Sequence, residues 1–475
     1  MSPRNMLPAL VLLLLAALSL PAPEPGGEPT RPDRPASDRP GRATYYHLAP
    51  PLSGAYHSAF PYFGNSEDEV SGEKIADFES LAGRKIVWAY FSSNWADGIH
   101  FPLAAVRAIH EHGAIPFIRL MAWSRLEQGV PETTYTLQRI IDGAFDDELA
   151  QWADQAKQQP FPLLAEFGTE VNGDWFPWNG KYNGGGETDG YGDPAFPDGP
   201  ERFRDAYRHI IGLFRERGVG NVTWFFHVNA QSFPEANWNR MALYYPGDEY
   251  IDWIGVSVYG SQAPGDYWSQ FREVLDPAYP ELCAISAGKP LALLEYGVAE
   301  DPMRGSKGEW ISRALQAIKG LRYPRLKAVC YWHESWENDN GTVSDLRINS
   351  SAGALAAYRR EIADPFFAAS ARVVSLQPPL HAALQRLENN LLFFREYVNR
   401  LTWEVNPQNT ATLSCFRIYR KTASADDVAY AVVAEIAADM FGCDDRGLGR
   451  DERFAYKIVA VDGEGRESEP AIASN

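Results

Sequence analysis

Two glutamates close apolar segments in the middle of the chain. Glu295 ends the apolar part of PLALLEYG, and Glu170 follows PLLAEF within the segment TEVNGDWFPWNG. A pair of carboxyl groups among indole rings suits glycoside hydrolysis, in which one carboxyl acts as acid and base and the other attacks the anomeric carbon. Such a pair needs split pKa values, which burial and hydrogen-bond donors can supply. Glu170 and Glu295 are therefore the candidate catalytic pair.

Aromatic and polar residues near the ends of apolar segments are candidates for substrate contacts. Indole faces can stack on sugar rings, and hydroxyl, amide and imidazole groups can bond to sugar hydroxyls. The candidate substrate-binding residues are Asn172, Trp175, Trp178, His227, Asn229, Tyr259 and Trp332. Weaker stacking candidates are Trp95, Trp123 and Trp336, and predicted core residues are Trp88, Trp224 and Trp253. Tyr259, which ends WIGVSVY, is also a candidate donor to Glu295, with a simple packing role as the alternative.

Metal and cofactor motifs are missing from the sequence. His57, His227 and His333 come from different predicted strands and lack ligand spacing. No glycine-rich phosphate loop follows an early strand, and the four cysteines lack the paired spacing of a zinc site. We therefore expect no cofactor and no bound metal. Cys415 and Cys443 share the C-terminal region, and a disulfide between them is left open.

The elements that must position these residues are short apolar strands separated by helical segments. Eight candidate strands lie at residues 53–57, 85–91, 115–121, 162–167, 222–228, 253–259, 290–295 and 327–332. Helical spacing and charge occur between most of them, for example at residues 101–112, 201–218, 267–285 and 309–320. This alternation predicts an α/β fold, a (β/α)8 TIM barrel, whose catalytic groups lie at the C-terminal ends of the strands. An open doubly wound sheet is the alternative.

The N-terminal residues read as a targeting segment and a linker. Residues 1–22 combine Arg4 with the apolar run Leu7–Leu20 and predict a signal peptide. That run is short for a bilayer span. Residues 23–43 are rich in proline and charge and predict a disordered linker. We expect a secreted protein, with a periplasmic or signal-anchored protein as the alternatives.

The remaining chain divides into two predicted domains. Residues 44–370 carry the barrel pattern, and residues 371–475 carry alternating, β-branched and aromatic segments that predict a small all-β sandwich. The sandwich resembles a fibronectin type III module, with Trp403 and Tyr456 as its core aromatics. Residues 380–397 instead have a helical pattern.

The net charge restricts the partners. Lys and Arg total 44 and Asp and Glu total 62, so the formal net charge is −18. An acidic chain does not suit a nucleic-acid backbone or an anionic membrane surface. Thirteen of the 14 tryptophans lie between Trp88 and Trp336, which favours a sugar-stacking cleft. We expect a polysaccharide as the partner, no nucleic acid and a monomeric chain.

Several segments together resemble glycoside hydrolase family 26. TEVNGDWFPWNG is similar to the family's acid/base motif, H-E-x-N-G followed by W-F and another Trp. LALLEYG is similar to its nucleophile segment, WIGVSVYG to its sixth-strand Tyr motif, and KAVCYWHESWEN to its last strand. The likeness extends from Ser53 to Phe367, and it places Trp332 at the stacking position beneath the scissile sugar.

This resemblance implies a secreted, retaining endo-β-glycanase of the mannanase type. Family members act chiefly on β-1,4-mannan, and some act on mixed-linkage β-glucan or β-1,3-xylan. The retaining mechanism implies carboxyl groups about 5 to 5.5 Å apart, against about 6.5 to 9.5 Å in an inverting enzyme.

Two positions depart from the family pattern. Thr169 replaces the His before the acid/base residue, and Glu166 replaces an upstream Arg. Arg119 is a cation within an apolar strand and must meet an anion, for which we expect Glu166, with Glu170 or Glu295 as alternatives. A glycan-binding protein on a degenerate, non-catalytic barrel is the alternative from another functional class.

Overall fold

The computed structural model describes residues 46–473, apart from residues 339, 375, 391–394, 407–408, 410–412, 426–428 and 464. The predicted signal peptide at residues 1–22 and the predicted linker at residues 23–43 lie outside the described residues. Of the helices in the described range, none combines the length and the apolar character that a bilayer-spanning segment requires.

The N-terminal and central elements alternate between strands and helices. In chain order they are β1 (His47–Ala49), β2 (Ala55–Phe60), α1 (Gly72–Ala82), β3 (Trp88–Asn94), α2 (Leu103–His112), β4 (Ile115–Met121), α3 (Leu137–Ile141), α4 (Asp146–Lys157), β5 (Leu163–Phe167), α5 (Asp198–Glu216), β6 (Val222–Asn229), β7 (Trp253–Tyr259), α6 (Phe271–Ile285), β8 (Leu291–Gly297), α7 (Lys307–Lys319), β9 (Leu326–Trp332), β10 (Ser335–Glu337), β11 (Val343–Asp345), α8 (Ala352–Ile362) and β12 (Phe367–Ala368). Short 3-10 helices lie at Gly180–Tyr182, Asn237–Asn239 and Met241–Tyr244.

Strands β2 to β9 form a closed parallel barrel. Each pairs with the next in chain order, and β2 also pairs with β9. The predicted (β/α)8 barrel is confirmed, and each of the eight predicted strands overlaps one barrel strand. The second predicted strand differs most, because its first residues bond to side chains: Ile86 N–H donates to Glu79 Oε1 (3.0 Å), and the Lys85 carbonyl bonds to His57 Nδ1 (2.8 Å).

Serine caps set the starts of several barrel helices. Ser71, Ser306 and Ser351 precede α1, α7 and α8, and each hydroxyl accepts a hydrogen bond from a backbone N–H in the first turn. A capping side chain of this kind stabilises a helix by about 1 kcal/mol. Helix α1 ends at Gly83 with φ +70°, a left-handed conformation that glycine adopts without strain.

Aromatic side chains fill the barrel interior. Phe117 lies 4.6 Å from Tyr90 and 4.6 Å from Phe225, measured between ring centroids. Phe225 stacks on Trp253 at 5.6 Å. The predicted core tryptophans Trp88, Trp224 and Trp253 are all buried. This packing closes the interior below the C-terminal ends of the strands, so a site can form only at that end.

The C-terminal region consists of antiparallel strands. They are β13 (Arg372–Val374), β14 (Leu380–Asn390), β15 (Arg395–Glu404), β16 (Leu413–Thr422), β17 (Ala431–Ala437), β18 (Gly442–Leu448), β19 (Phe454–Asp462) and β20 (Ala471–Ala473). One sheet has the order β14-β15-β18 and the other has the order β17-β16-β19-β20. Trp403, Phe416 and Tyr456 belong to their shared core, so the all-β prediction is confirmed. The likeness to a fibronectin type III module stays a prediction.

Two further predictions for this region concern a helix at residues 380–397 and a disulfide between Cys415 and Cys443. The helix predicted at residues 380–397 is wrong, because β14 and β15 pair there as antiparallel strands. Ala382 and Leu384 pack on the sheet core two residues apart, a spacing that serves a strand face. Cys415 and Cys443 lie in different sheets and both thiols are unbonded.

The segment that leads into the C-terminal sheets is fixed at the base of the barrel. Strand β13 pairs with β1, and β1 binds the N-terminal ends of β6 and β7. Leu48 N–H donates to Thr223 Oγ1 (2.9 Å), and Trp253 Nε1–H donates to the Leu48 carbonyl (2.9 Å). The C-terminal sheets are therefore joined to the end of the barrel opposite the C-terminal ends of its strands.

Candidate active site

A cavity of about 600 Å³ opens at the C-terminal ends of the barrel strands. Its lining residues are Asn65, Glu67, Arg119, Gln128, Glu170, Trp175, Phe176, Tyr259, Gln262, Ala263, Glu295, Trp332, Glu334, Trp336, Asn338 and Ser344. The structure therefore brings together both candidate catalytic glutamates with Trp175, Tyr259 and Trp332 from the predicted substrate contacts. Of the weaker stacking candidates, Trp336 lines the cavity, whereas Trp95 and Trp123 do not.

Glu295 lies within β8, whose other side chains are buried. Its Oε2 accepts a hydrogen bond from the Tyr259 hydroxyl (2.7 Å), and its Oε1 lies 3.4 Å from Arg119 Nη2. Among the described residues, none donates a hydrogen bond to Oε1. Glu295 thus has one oxygen that accepts a hydrogen bond from Tyr259 and one that faces the Arg119 guanidinium.

Glu170 lies in a tight turn just after β5. Its φ is +48°, and Gly168 at the start of the turn has φ +68°. A non-glycine residue in this conformation is uncommon and marks a backbone held by its surroundings. A Cβ at Gly168 would overlap Phe203, so the approach of that ring requires glycine. The Glu170 carboxylate accepts a hydrogen bond from Trp175 Nε1 (2.7 Å).

Burial sets the protonation of the two candidate catalytic carboxyls. Loss of solvent raises the pKa of both Glu170 and Glu295, and the charge of Glu170 raises the pKa of Glu295 further. Arg119 and Tyr259 act in the opposite direction on Glu295. Hydrogen bonds from Ser257 and Trp175 and the charge of Arg119 likewise lower the pKa of Glu170. Burial outweighs these neighbours at both carboxyls, and the pKa of Glu295 is raised to about 8.

Arg119 is the central cation of the site. It pairs with Glu67, with Glu166 (Nε to Oε1, 3.7 Å) and with Glu295. Burial alone would lower the pKa of Arg119, but these carboxylates raise it well above the usual value, so the guanidinium stays charged. The expected Arg119–Glu166 pair is confirmed, and Glu67 is an additional partner that the sequence did not indicate.

Glu166 and His227 form a buried layer beneath the cavity. His227 Nδ1 lies 3.1 Å from Glu166 Oε2, and the Tyr90 hydroxyl donates to the same carboxylate. Burial raises the pKa of Glu166, but His227 and the hydrogen bonds lower it, with a net lowering. His227 also bonds to Thr169 Oγ1 and Ser257 Oγ, both at 2.8 Å. Both groups are buried and absent from the cavity lining, so His227 lies beneath the cavity, and its sugar contact stays a prediction.

Trp178 also lies outside the cavity. Its ring stacks on Phe176 at a centroid distance of 4.6 Å, and its Nε1–H donates to the Thr169 carbonyl (2.7 Å). The side chain is buried. Trp178 therefore supports the turn that carries Glu170, and its substrate contact stays a prediction.

Asn172 fastens two segments of the site together. Its Oδ1 accepts a hydrogen bond from Asn229 N–H (2.7 Å), and its Nδ2 donates to the Asn229 carbonyl (2.9 Å) and to Ser232 Oγ (3.1 Å). The Asn229 side chain donates to the Gln231 carbonyl (2.7 Å). Neither asparagine lines the cavity. The pair links the Glu170 turn to the segment after β6, and the sugar contacts of both residues stay predictions.

Glu334 and Glu67 are the two carboxylates in the cavity that sequence reasoning missed. Glu334 accepts a hydrogen bond from Trp332 Nε1 (2.6 Å), and burial, followed by the charge of Glu67, raises its pKa to about 8. Glu334 follows a strand end within WHESWEN, the same signal that indicated Glu170. Glu67 lies in a loop between β2 and α1, where no periodic pattern marks it.

No cluster of three or more His, Cys, Asp and Glu side chains suited to a metal ion occurs in the described part of the chain. The carboxylates of the cavity surround Arg119 instead, and this guanidinium takes the place that a cation would occupy among them.

The chain is similar in sequence to a family model and to several glycan-degrading enzymes. Residues 120–289 match the model of Glycosyl hydrolase family 26. Endoglucanase H of Acetivibrio thermocellus is 30% identical over 312 residues, which are 65% of this chain and 31% of that protein. A mannan endo-1,4-beta-mannosidase of Bacillus subtilis is 24% identical over 261 residues, 52% of this chain and 60% of that protein. A beta-1,3-xylanase of a Vibrio species is 22% identical over 260 residues, 49% of this chain and 50% of that protein. The chain thus spans between about a third and 60% of the length of these relatives.

Solved structures of mannanases are also similar. A modular endo-beta-1,4-mannanase from Cellulomonas fimi aligns with a TM-score of 0.47 and 17% identity, over 89% of this chain and 94% of that one. The Bacillus subtilis mannanase BCman aligns with a TM-score of 0.45 and 20% identity, over 66% of this chain and 87% of that one.

Proposed function

We propose that this protein is a retaining endo-β-glycanase. The observation that carries the proposal is the pair Glu170 and Glu295 in one cavity, with the cation Arg119 and the Tyr259 hydroxyl on Glu295 and an indole donor on Glu170. Acid and carboxylate roles are thereby divided between two groups. The match of residues 120–289 to family 26 supports the same chemistry.

In the first step, the Glu170 carboxylic acid donates its proton to the glycosidic oxygen. The Glu295 carboxylate attacks the anomeric carbon, the bond to the leaving oxygen breaks, and a covalent glycosyl–enzyme ester forms. Arg119 and Tyr259 keep this carboxylate ionised before the attack.

In the second step, a water molecule attacks the anomeric carbon while the Glu170 carboxylate takes its proton. The bond to Glu295 breaks, the carboxylate is restored, and the product keeps the anomeric configuration of the substrate. Tyr259 and Arg119 stabilise the charge that returns to Glu295, from positions already fixed before the reaction.

For the substrate, we propose a β-linked glucan as the first candidate and β-1,4-mannan as the second. Thr169 and Glu166 replace two residues of the mannanase-type motif, and the relative at 30% identity is named an endoglucanase. Relatives named mannan endo-1,4-beta-mannosidase, at 24 to 27% identity, favour the second candidate. Mixed-linkage β-glucan, cellulose, β-1,4-mannan and β-1,3-xylan form the discriminating panel, with new reducing ends as the readout.

The catalytic assignment is tested with Glu170→Ala and Glu295→Ala. Because Glu295 supplies the nucleophile, its variant should lose turnover on every substrate. The Glu170 variant should retain cleavage of dinitrophenyl glycosides, whose leaving group needs no acid, and azide should then yield a β-glycosyl azide. Glu309→Ala, at an exposed position of α7, is the matched control and should be fully active.

Two results would overturn the proposal. Turnover by the Glu295 variant would remove the nucleophile, and an initial product of inverted configuration in proton NMR would replace the double displacement with a single one. Binding to the panel without new reducing ends would favour the glycan-binding alternative.

We further propose that the protein acts as a monomer outside the cytoplasm, where polysaccharide is encountered. The apolar run Leu7–Leu20 supports export. N-terminal sequencing of the mature protein should begin after this run, and light scattering should give the mass of one chain.

A further inference from the structure

One wall of the catalytic cavity is formed by a hairpin outside the barrel. Strands β10 and β11 follow the last barrel strand and form a separate two-stranded sheet. Trp336, Asn338 and Ser344 of this hairpin line the cavity. Asn338 Nδ2 donates to Ser344 Oγ (2.9 Å), and Trp336 Nε1 donates to Asn338 Oδ1 (3.1 Å). These bonds hold the hairpin together, but its position at the cavity depends on the contacts that join it to the barrel.

The residues after β11 carry several of those contacts. Leu346 N–H donates to the Glu334 carbonyl (2.9 Å), and the Tyr331 hydroxyl donates to the Leu346 carbonyl (2.8 Å). Ile348 N–H donates to His333 Nδ1 (3.0 Å). These three bonds join the segment to β9 and to the residues directly after it.

A buried lysine on α7 binds the same segment. Lys307 is the first residue of α7 and is 1% exposed. Its Nζ donates to the Asp345 carbonyl (2.9 Å) and to the Arg347 carbonyl (2.8 Å). Glu300 N–H donates to the same Asp345 carbonyl (3.0 Å). Because an amino group has at least two N–H donors whether it is charged or neutral, Lys307 can bond to both carbonyls in either state.

This location is unfavourable for a lysine side chain. The N-terminal end of a helix carries a partial positive charge, which repels a cation. Burial lowers the pKa of Lys307 to about 7, although the charges of Asp345 and Glu300 oppose this lowering. An apolar side chain of similar length would fill the space without the cost of burying a polar group. The bonds to the two carbonyls are therefore what the lysine contributes at this position.

We propose that Lys307 is a positioning residue that fastens the β10–β11 hairpin to the barrel and thereby fixes the wall of Trp336, Asn338 and Ser344 for glycan binding. The proposal rests on the proposed function for its ligand. Lys307 does not line the cavity, so it acts on the substrate only through the hairpin. Its removal should loosen this wall and leave the two catalytic glutamates, which lie on β8 and after β5, in place.

Lys307→Met tests the proposal, because methionine fills a similar space but donates no hydrogen bond. For the panel polysaccharide that the wild type cleaves, KM should rise about tenfold while kcat stays within about twofold. General destabilisation would instead reduce the active fraction, which lowers kcat and leaves KM unchanged. Hydrogen exchange of the backbone amides at residues 335–348 should become about tenfold faster.

Lys319→Met is the matched control. Lys319 is the last residue of the same helix, and its Nζ pairs with Asp364 (3.0 Å), a residue that does not line the cavity. The control should leave KM, kcat and the exchange of the hairpin amides unchanged.

Trp336→Ala provides a second test that does not depend on the folding of the lysine variant. This variant should raise KM, and unchanged KM would overturn the proposal because the hairpin wall would then not bind the glycan. In the Trp336→Ala background, Lys307→Met should raise KM by less than it does in the wild type. An undiminished effect in that background would show that Lys307 does not act through this wall, and it would also overturn the proposal.

Hydrogen exchange separates failure of this inference from failure of the proposed function, since it requires no turnover. Faster exchange in Lys307→Met, in a protein that forms no new reducing ends from any glycan, would keep the fastening role and reject the proposed function. In an active enzyme, unchanged exchange would reject the inference alone, as would faster exchange with an unchanged KM.

Discussion

The charge on Glu295 is governed by two side chains that come from other strands. Tyr259 ends β7 and donates its hydroxyl proton to the carboxylate, and Arg119 on β4 supplies the positive charge. Burial works against both by raising the pKa of Glu295. With the pKa of Glu295 raised to about 8, the charge of this proposed nucleophile depends on these two neighbours.

Tyr259→Phe should shift the acid limb of the activity profile. The hydroxyl stabilises the carboxylate of Glu295, so its removal raises the pKa of Glu295. The acid limb of kcat/KM against pH, which reports ionisation of the nucleophile, should move to higher pH. At neutral pH, kcat/KM should fall by about tenfold, the effect of a charged hydrogen bond worth about 1.5 kcal/mol.

Tyr323→Phe is the control for this pH profile. The Tyr323 hydroxyl donates to Asp276 Oδ1 (2.6 Å) on α6, and neither residue lines the catalytic cavity. The control profile should match the wild type. An acid limb that stays in place in Tyr259→Phe would show that the hydroxyl does not control the charge of Glu295.

Individual site residues were predictable where a strand pattern marked them. Glu295 and Tyr259 follow runs of apolar residues, and a barrel brings such positions to one end. His227 also lies near the end of an apolar strand, but its side chain is fully buried beneath the cavity. The sequence pattern of a strand does not show how far each side chain lies from the cavity. Glu67 lies in a loop, so only the folded chain brings it to Arg119.

Among the structural elements, the turn after β5 determines the position of the Glu170 carboxyl group. Gly168 and Glu170 both have positive φ, and Trp175 folds back over Gly173 to reach the Glu170 carboxylate. A Cβ at Gly173 would overlap the indole ring. Close approach of the ring therefore requires glycine at this position.

Gly173→Ala should displace Trp175 and remove its hydrogen bond to Glu170. The indole donor lowers the pKa of Glu170, so its loss should raise that pKa and move the basic limb of kcat to higher pH. The value of kcat should also fall, by about tenfold or more, because the acid is no longer held in place. Steady-state rates across pH measure both effects.

Gly212→Ala is the matched control. Gly212 lies in α5, and a Cβ there meets no atom within 4 Å. Since alanine favours a helix over glycine by about 1 kcal/mol, this variant should be slightly more stable and equally active. A fully active Gly173→Ala enzyme with an unchanged basic limb would contradict the role given to the turn.

The elements were predictable to different degrees for physical reasons. The barrel strands are buried on both faces and appear as continuous apolar runs, which the sequence displays directly. Residues 380–390 carry apolar side chains that fit helical and strand spacing alike, and pairing with β15 decides for the strand. Contacts between distant segments, such as that of Asn172 with Asn229, leave no local pattern.

At the scale of the whole molecule, the C-terminal sheets are attached to the base of the barrel and the proposed reaction occurs at its mouth. Tyr56 on β2 is part of this attachment. Its hydroxyl donates to the Ala49 carbonyl (2.8 Å) and accepts a hydrogen bond from Arg372 N–H (2.9 Å). The Arg372 guanidinium also pairs with Glu469 at 2.7 Å.

Tyr56→Phe should therefore separate stability from activity. Removing the buried hydroxyl leaves the Ala49 carbonyl and the Arg372 N–H without this partner, and the free energy of unfolding should fall by about 1–3 kcal/mol. The value of kcat/KM at 25 °C should not change. Urea unfolding and steady-state rates check the two expectations. A rate loss in a fully folded variant would contradict the second one, because it would show that this contact at the base of the barrel affects the active site.

The attachment at the base also has a practical consequence for handling the protein. If the protein were immobilised on a solid support through the C-terminal sheets, the support would lie at the base of the barrel. The catalytic cavity would then face the solvent. Long, insoluble polymers could then reach the carboxylates without passing the tether.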